Sequence, residues 1–241
     1  MQKLFPFIVI VLLISINSCK KDNFITNSGE VITKEFLLDD FSQLEIDKYF
    51  NVYITDDTIN KIVFEGGENL LENIETQIQN LTLKINNNNK VYFLKKYEKV
   101  NVYLSSYSLK KIIIKEPSNI FSTNCIKRNS FEIDVRADVS TVNIDVDCDE
   151  FFLKIYDTTG DFIINGKSKY SFVYFRGSAV VNANNLITNS IEITNCSTGD
   201  AYINVKDKIK YSIIRNGNIY YSGGAYDIKG ETSSSGKLIK L

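Results

Sequence analysis

Histidine and tryptophan are absent from this chain of 241 residues, and it holds only two prolines and one methionine. Without histidine, the chain lacks the commonest general base and the commonest neutral metal ligand. A cysteine nucleophile would also lack the imidazole that usually activates it. The near absence of proline suits uninterrupted strands, because proline removes a backbone donor from a sheet. We therefore predict a protein that is not an enzyme, with no catalytic residues and no cofactor.

An excess of positive charge is also missing. Lysine and arginine number 28 against 29 aspartate and glutamate residues, which gives a formal net charge of −1. This balance offers no basic field for nucleic acid, so we expect no nucleic-acid partner. A hydrophobic content of 44% is typical of a globular chain that buries a core.

The chain begins with a pattern typical of exported proteins. Lys3 precedes an apolar run from Leu4 to Ile16, which is too short to span a bilayer as a helix. The following segment, Ile16-Asn17-Ser18-Cys19, resembles the lipobox of bacterial lipoproteins. We predict a lipoprotein signal peptide over residues 1–18, lipidation of Cys19, and a lipidated flexible tether over residues 19–30. The alternative is a plain signal peptide with a cysteine near its cleavage site.

The lipobox implies a bacterial protein that is anchored to a membrane outside the cytoplasm. Lys20, rather than aspartate, follows Cys19. By resemblance to the sorting rule of some Gram-negative bacteria, this favours an outer-membrane lipoprotein. Whether it faces the periplasm or the cell surface is left open.

From Val31 onward, apolar and polar residues alternate with a period of two, which predicts strands with one buried face. The apolar positions of the clearest examples are Leu44 and Ile46; Phe50, Val52 and Ile54; Leu81, Leu83 and Ile85; Val100, Val102 and Leu104; and Phe131, Ile133 and Val135. Only Gly67–Ile74 is typical of a short helix, with Leu70, Leu71 and Ile74 on one side.

Four similar segments, GDFIING, GSAVVNA, GDAYINV and GNIYYSG, begin at Gly160, Gly177, Gly199 and Gly217. The repeat averages close to 20 residues and is predicted to hold two short strands and a tight turn. A unit this small cannot bury its own apolar face, but a stack of such units can. We therefore predict an all-β fold, a β-solenoid of about 20 residues per rung, over residues 31–241. A β-sandwich with similar hairpins is the alternative.

Three stretches carry a family resemblance: Phe41–Ile85, Val100–Ile120 and Asn216–Leu241. They contain the strand F-N-V-Y-I, the turn E-N-L-L-E-N-I, the strand that begins L-K-K-I, and the closing segment G-N-I-Y-Y-S-G. In this order they resemble the family described as "putative auto-transporter adhesin, head GIN domain". The resemblance covers residues 31–241 and implies a stack of strands in a bacterial lipoprotein. This chain departs from the family after Ile114, where Lys115-Glu116-Pro117-Ser118 replaces the usual glycines, and between Cys125 and Cys148, which holds no glycine.

One acidic row is a candidate ligand site. Alternation places Asn143, Asp145, Asp147 and Asp149 on one face, and Glu132 and Asp134 are expected one rung away. Such a patch could bind Ca²⁺, or supply the carboxylate pair of a glycan-cleaving enzyme. The alternative is a solvated face that keeps the sheet soluble. We predict no metal site.

Aromatic residues offer a second kind of site. Tyr170, Phe172, Tyr174 and Arg176 share one strand face, while Val173 and Phe175 share the other, and Tyr220, Tyr221 and Tyr226 crowd the C-terminal end. Outward rows of this kind can stack on sugars or anchor a partner, although one row is expected to be core.

Two smaller features are candidate covalent sites. Cys125 and Cys148 are 23 residues apart, close to one rung, so a disulfide is possible if they stack. Asp57-Thr58-Ile59 and Asp157-Thr158-Thr159 resemble an O-glycosylation sequon of one group of Gram-negative bacteria.

The sequence thus predicts a lipid-anchored protein of the cell envelope, an adhesin or binding scaffold, that contacts a protein or a glycan with the solenoid wall. The runner-up is a carbohydrate-active enzyme with an acidic patch on that wall. Self-association into a homo-oligomer is also expected, because the open ends of a solenoid expose unpaired backbone.

Overall fold

The computed structural model describes residues 28–89 and 99–241, and these residues are almost all in strands. The fold is the predicted β-solenoid, and it has about six turns. Cys19, the signal peptide and most of the tether lie outside the described residues. The described elements are helix α1 (Glu68–Leu71) and the strands β1 (Val31–Leu37), β2 (Gln43–Asp47), β3 (Phe50–Asp56), β4 (Lys61–Gly67), β5 (Ile74–Gln79), β6 (Thr82–Asn87), β7 (Val100–Ser106), β8 (Lys111–Ile114), β9 (Asn119–Val135), β10 (Thr141–Thr158), β11 (Asp161–Gly177), β12 (Val180–Ser197), β13 (Ala201–Ile213), β14 (Ile219–Ser222), β15 (Asp227–Thr232) and β16 (Leu238–Lys240).

Each central rung is one long strand that turns a corner, rather than the two short strands predicted. Before the corner, every second side chain of the strand is buried. At the corner, two consecutive side chains face outward. Beyond it every second side chain is again buried, but in β10 and β11 odd-numbered positions replace even-numbered ones in the core. In β10 this happens at Asp149 and Glu150, and in β11 at Lys169 and Tyr170. The first half of each long strand forms one wall, here wall A, and the second half forms wall B.

The register confirms the predicted rung length. On wall B, Phe131, Phe151, Ser171 and Ile191 pair in order across β9 to β12, at intervals of 20 residues. Their side chains point inward and are almost completely buried. Parallel pairing in register therefore stacks inward positions into columns, which close the core that one rung could not close alone.

A column of small residues lines the turn that leads from one rung to the next, and glycine is required at several of its positions. A Cβ on Gly217 would lie 2.0 Å from the carbonyl oxygen of Gly199, and one on Gly199 would lie 2.1 Å from that of Ala179. Of the four repeat glycines, Gly160, Gly199 and Gly217 belong to this column. Gly177 does not, because it pairs with Thr158 and Ser197 at the end of the preceding strand, and Ala179 takes its place.

The N-terminal rungs do not stack in sequence order. On wall A, the order is β1-β4-β7-β3-β9, so β3 lies between two strands that follow it in the chain. On wall B, β2 lies between β6 and β8 in the same way. Strands β1, β4 and β5 pair antiparallel at this end, while the rest of the stack is parallel. Helix α1 buries Leu70 and Leu71 here, as predicted, with Ile74 packed against the core.

One predicted strand position is wrong. Leu81 is 56% exposed and adopts a φ of 58° in the turn between β5 and β6, although the alternation of Leu81, Leu83 and Ile85 suggested a continuous strand. Leu83 and Ile85 lie in β6 and are fully buried, so the apolar pattern began one position before the strand.

Candidate functional site

A continuous row of outward side chains crosses wall A. We call it the aromatic–amide strip, and it follows the register from β7 through β3 and β9 to β14. Its members are Tyr103, Tyr53, Phe121, Asn143, Ile163, Asn182, Tyr202 and Tyr220. The strip thus has aromatic rings at both ends and two amides near its middle.

The rings at each end of the strip are stacked face to face. Tyr53 lies between Tyr103 and Phe121, with centroid distances of 5.1 and 5.3 Å. At the other end, Tyr202 and Tyr220 are stacked at 5.0 Å and are nearly parallel. These spacings match the distance between neighbouring strands, so the rings stand on edge along the row. The outer face of Phe121 and the outer face of Tyr202 are therefore turned toward the amides.

The ring stack at β7 is fixed by hydrogen bonds. The Tyr103 hydroxyl donates to Glu65 Oε2 at 3.1 Å. The pKa of Tyr103 is raised, mainly by burial and further by the hydrogen bond to Glu65. This hydroxyl therefore stays protonated and remains a donor. Beneath the rings, Asn119 donates to Asn51, which donates to Asn101, which in turn donates to Glu65. This amide ladder holds the non-sequential strands in register.

A second amide chain orients the middle of the strip. Asn185 Nδ2 donates to Asn165 Oδ1 at 3.2 Å, and Asn165 Nδ2 donates to Asn143 Oδ1 at 3.3 Å. The oxygen of Asn182 likewise accepts the backbone N–H of Asn184. Within the described ranges, the NH₂ groups of Asn143 and Asn182 donate to no protein atom, and both side chains are exposed. Each therefore presents two donors to solvent.

A polar pocket of about 280 Å³ opens beside Phe121, and its lining includes Asn124, Cys125, Asn143 and Asp145. The pocket exists because β9 carries two extra residues there: Phe121 pairs with Asn143, but Cys125 pairs with Asp145. Hydrogen bonds fix the Asn124 side chain of the bulge: its Oδ1 accepts the backbone N–H of Asp56, and its Nδ2 donates to the Asp56 carbonyl oxygen. Bulges of this kind re-aim side chains next to binding sites.

Wall B carries the larger open groove, of about 580 Å³, near the C-terminal end of the stack. Its lining includes Tyr170, Tyr211, Glu192 and Lys210, and Lys210 donates to Glu192 at 3.0 Å. Burial first, and then Glu192, raises the pKa of Tyr170. The apolar floor and the paired charges at the rim suit a ligand that is amphipathic rather than strongly charged.

The predicted aromatic faces on β11 are confirmed. Tyr170, Phe172 and Tyr174 point outward, next to Phe152 and Tyr156 of the preceding rung, and Val173 and Phe175 are core. Sequence reasoning missed the stack of Tyr103, Tyr53 and Phe121. Tyr53 is 50 and 68 residues from the other two rings, and only the interleaved order of β7, β3 and β9 brings them together. At the C-terminal end, Tyr221 packs against the core and Tyr226 is 75% exposed.

The acidic row does not form the expected patch. Asp145, Asp147 and Asp149 do point outward, but Glu132 and Asp134 pair with Phe152 and Lys154, past the corner on wall B. The acids are also matched with bases, in the pairs Asp147–Lys167, Asp149–Lys169, Glu132–Lys154 and Asp134–Arg136. No cluster of three or more metal-ligating side chains occurs in residues 28–89 and 99–241. The predicted grouping of Glu132 and Asp134 with the acidic row is therefore wrong, and the row on β10 is what remains of the patch in the enzyme alternative.

The disulfide that the sequence left open does not form, because Cys125 and Cys148 do not stack. The two extra residues in β9 shift its register, so Cys125 pairs with Asp145 while Cys148 pairs with Arg128. Cys125, Cys148 and Cys196 are all free thiols. Burial raises the pKa of Cys125 to about 11, with a further contribution from Asp145, and raises that of Cys148 to about 12. Both groups are therefore protonated at neutral pH and are poor nucleophiles.

The two threonines of the predicted sequons differ in accessibility. Thr58 is exposed in the turn between β3 and β4. Thr158 is completely buried and donates its hydroxyl hydrogen to the carbonyl oxygen of Ala137 at 2.8 Å. Among the described residues, no helix is long and apolar enough to cross a membrane.

The family model described as "Putative auto-transporter adhesin, head GIN domain" matches residues 40–225. The chain belongs to this family. The match confirms the resemblance seen in the sequence, and membership fits a protein of the cell envelope or surface with a binding role. No curated protein matches the chain.

Solved structures of other bacterial proteins have a similar fold. A "putative adhesin" from Bacteroides fragilis is 18% identical with a TM-score of 0.79, and the alignment covers 88% of this chain and 97% of that one. A "putative lipid binding protein" from Parabacteroides distasonis has the same identity and coverage and a TM-score of 0.64. A "putative adhesin" from Parabacteroides merdae is 17% identical, with the same coverage and a TM-score of 0.58. At these identities the likeness establishes the fold alone.

Proposed function

We propose that this head GIN protein is a lipid-anchored, non-enzymatic binding protein of the outer membrane, which contacts a glycan or protein partner with the outer walls of its solenoid. The observation that carries the proposal is the outward display of aromatic side chains in rows on both walls. Such rings supply large, rigid contact area at little entropic cost. The pairing of the acids with bases supports a contact surface over a hydrolytic site.

The anchor part of the proposal depends on Cys19, which follows the lipobox-like segment. Metabolic labelling with a radioactive fatty acid in the native host should place label on the intact protein. The Cys19→Ser variant should lose the label and leave the membrane fraction. Label that persists in this variant would contradict lipidation at Cys19.

The binding part is tested with the soluble chain that starts at Lys20. We would screen it on a glycan array and, in parallel, by cross-linking to intact cells followed by mass spectrometry. Specific binding should be weakened by Tyr53→Ala on wall A or by Tyr170→Ala on wall B. The matched control is Lys167→Ala, which removes an exposed side chain outside both aromatic rows. A chain that binds nothing on either screen would refute the proposed function.

A further inference from the structure

The aromatic–amide strip has two places where an outward ring face is followed by an exposed amide. Phe121 is next to Asn143 in the register, and Tyr202 is next to Asn182. Ile163 lies between the two amides. We propose that these places are two subsites for the sugar rings of one neutral glycan, with the pocket beside Phe121 as the main subsite. This inference rests on the proposed binding function and names its wall and ligand class.

The first argument is the shape of the Phe121 subsite. One face of the Phe121 ring is stacked on Tyr53, and the other face borders the pocket of about 280 Å³. A sugar ring has an apolar C–H face and polar edges, so it can stack on an aromatic face while its hydroxyls reach neighbouring polar groups. The pocket supplies both kinds of contact.

The second argument is the orientation of the donors. The amide chain from Asn185 through Asn165 occupies the Asn143 oxygen, and this leaves the Asn143 NH₂ group facing solvent beside the pocket. Beside Tyr202, the Asn182 oxygen instead accepts the backbone N–H of Asn184, which leaves the Asn182 NH₂ group facing solvent. Oriented amide donors pair with sugar hydroxyls without the entropic cost of immobilising a flexible side chain. Two unrelated hydrogen-bond arrangements thus present the same group at both subsites.

The third argument is charge. The strip from Phe121 to Tyr202, all within the described part of the chain, contains no ionisable group except the Tyr202 hydroxyl. Along the strands, the charged residues two positions from a strip member are acidic, namely Asp145, Asp161 and Asp200, and no lysine or arginine lines the pocket. A sulfated or carboxylated glycan would therefore meet repulsion without a compensating base. A neutral glycan meets neither.

The spacing between the subsites sets the expected ligand length. Phe121 on β9 and Tyr202 on β13 are four strands apart, or about 19 Å at the usual strand spacing. A glycan that fills both subsites must span that distance. Once both subsites are engaged, the second contact is intramolecular, so affinity should rise in a step with chain length rather than gradually.

The test uses the soluble chain from Lys20 and biolayer interferometry with immobilised linear glucans, mannans and xylans from one sugar to about six sugars long. Oligogalacturonate is the acidic probe. We expect binding to neutral oligosaccharides with little salt dependence and a step in affinity near four or five sugars, about the length that spans both subsites. Phe121→Ala and Asn143→Ala should each weaken binding about tenfold. Tyr202→Ala should abolish the step, and Tyr226→Ala, which removes a 75% exposed ring outside the strip, is the matched control.

The outcomes separate this inference from the proposed function. Neutral-glycan binding that survives Phe121→Ala and Asn143→Ala but is lost with Tyr170→Ala would place the site on wall B. A preference for oligogalacturonate would exclude a neutral ligand. Either result overturns the inference and keeps the proposed function, as does capture of a protein partner alone. Asn143→Ala removes an exposed side chain, so it tests the subsite even if Phe121→Ala unfolds the rung.

Discussion

Gly160 lies against the carbonyl oxygen of Ser140, so closely that a Cβ at Gly160 would be 1.9 Å from that oxygen. Its φ of +147° is also one that other residues rarely adopt. We expect Gly160→Ala to reduce the free energy of unfolding by about 2–4 kcal/mol, because the rungs must separate to admit the methyl group. Denaturant unfolding followed by circular dichroism measures this change.

Gly224→Ala is the matched control for this substitution. The nearest atom to a Cβ at Gly224 is the Lys206 carbonyl oxygen at 3.5 Å, an ordinary contact. Its effect should stay within about 0.5 kcal/mol. Equal effects of the two variants would mean that the turn column does not set the rung spacing.

Arg128 joins parts of three rungs. It donates to Asp56 at 2.5 Å and to the carbonyl oxygens of Ser106 and Leu109 at 3.0 and 2.9 Å. The Arg128 and Asp56 side chains are only 10% and 18% exposed. We expect Arg128→Gln to destabilise the fold by about 2 kcal/mol or more, since it leaves Asp56 unpaired. Lys169→Gln, from a pair that is 72% and 52% exposed, should leave the stability nearly unchanged in the same unfolding measurement.

The free thiols give a pH-dependent prediction. Because the pKa of Cys125 is raised to about 11 from an ordinary 9.0, its alkylation by iodoacetamide should keep accelerating well beyond pH 9. The same raised pKa means that the unfolded state loses its proton first, so stability should fall as pH rises from about 9 to 11. Peptide mass mapping after timed alkylation follows each thiol. A bonded Cys125 and Cys148 pair, or a rate that levels off near pH 9, would contradict the structure.

The two sequons should behave differently in protein isolated from the native host. Thr58 is open to an enzyme, whereas Thr158 is fully buried and hydrogen-bonded to Ala137. If the protein is glycosylated, intact glycopeptides should carry sugar at Thr58 and none at Thr158. In addition, Thr158→Val should destabilise the fold by about 1–2 kcal/mol, because the Ala137 carbonyl loses its donor. Sugar found on Thr158 would show that the modification precedes folding.

Self-association is expected through the ends of the stack. In the described part of the chain, β1 and β5 end the two walls on one side, and β15 and β16 end them on the other, each with an unpaired edge. Leu37 on β1 is 78% exposed and Leu241 beyond β16 is 64% exposed. Light scattering should show oligomers that grow with concentration, and Val31→Lys on the β1 edge should reduce them. A monomer at every concentration would remove this expectation.

The sequence predicted what repeats locally and missed what depends on distant pairing. The period of two, the 20-residue interval and the core face of β11 all follow from neighbouring residues. The pairing partners of Cys125 and Glu132 do not follow from neighbouring residues. A two-residue bulge in β9 and a corner in each rung shift the register, and the apolar–polar alternation does not show by how many residues. The strip was missed for the same reason, since Tyr53 meets Phe121 only when β3 lies beside β9.

The place of β3 between β7 and β9 also bears on how the protein is made. A solenoid stacked in chain order can add turns one by one as the chain is made. Here Asn51 can accept the hydrogen bond from Asn119 only after 68 further residues have been made. The early strands therefore complete their pairing only when β9 pairs with β3 on wall A and with β8 on wall B. Folding should therefore begin in the middle of the chain and finish at its N-terminal end.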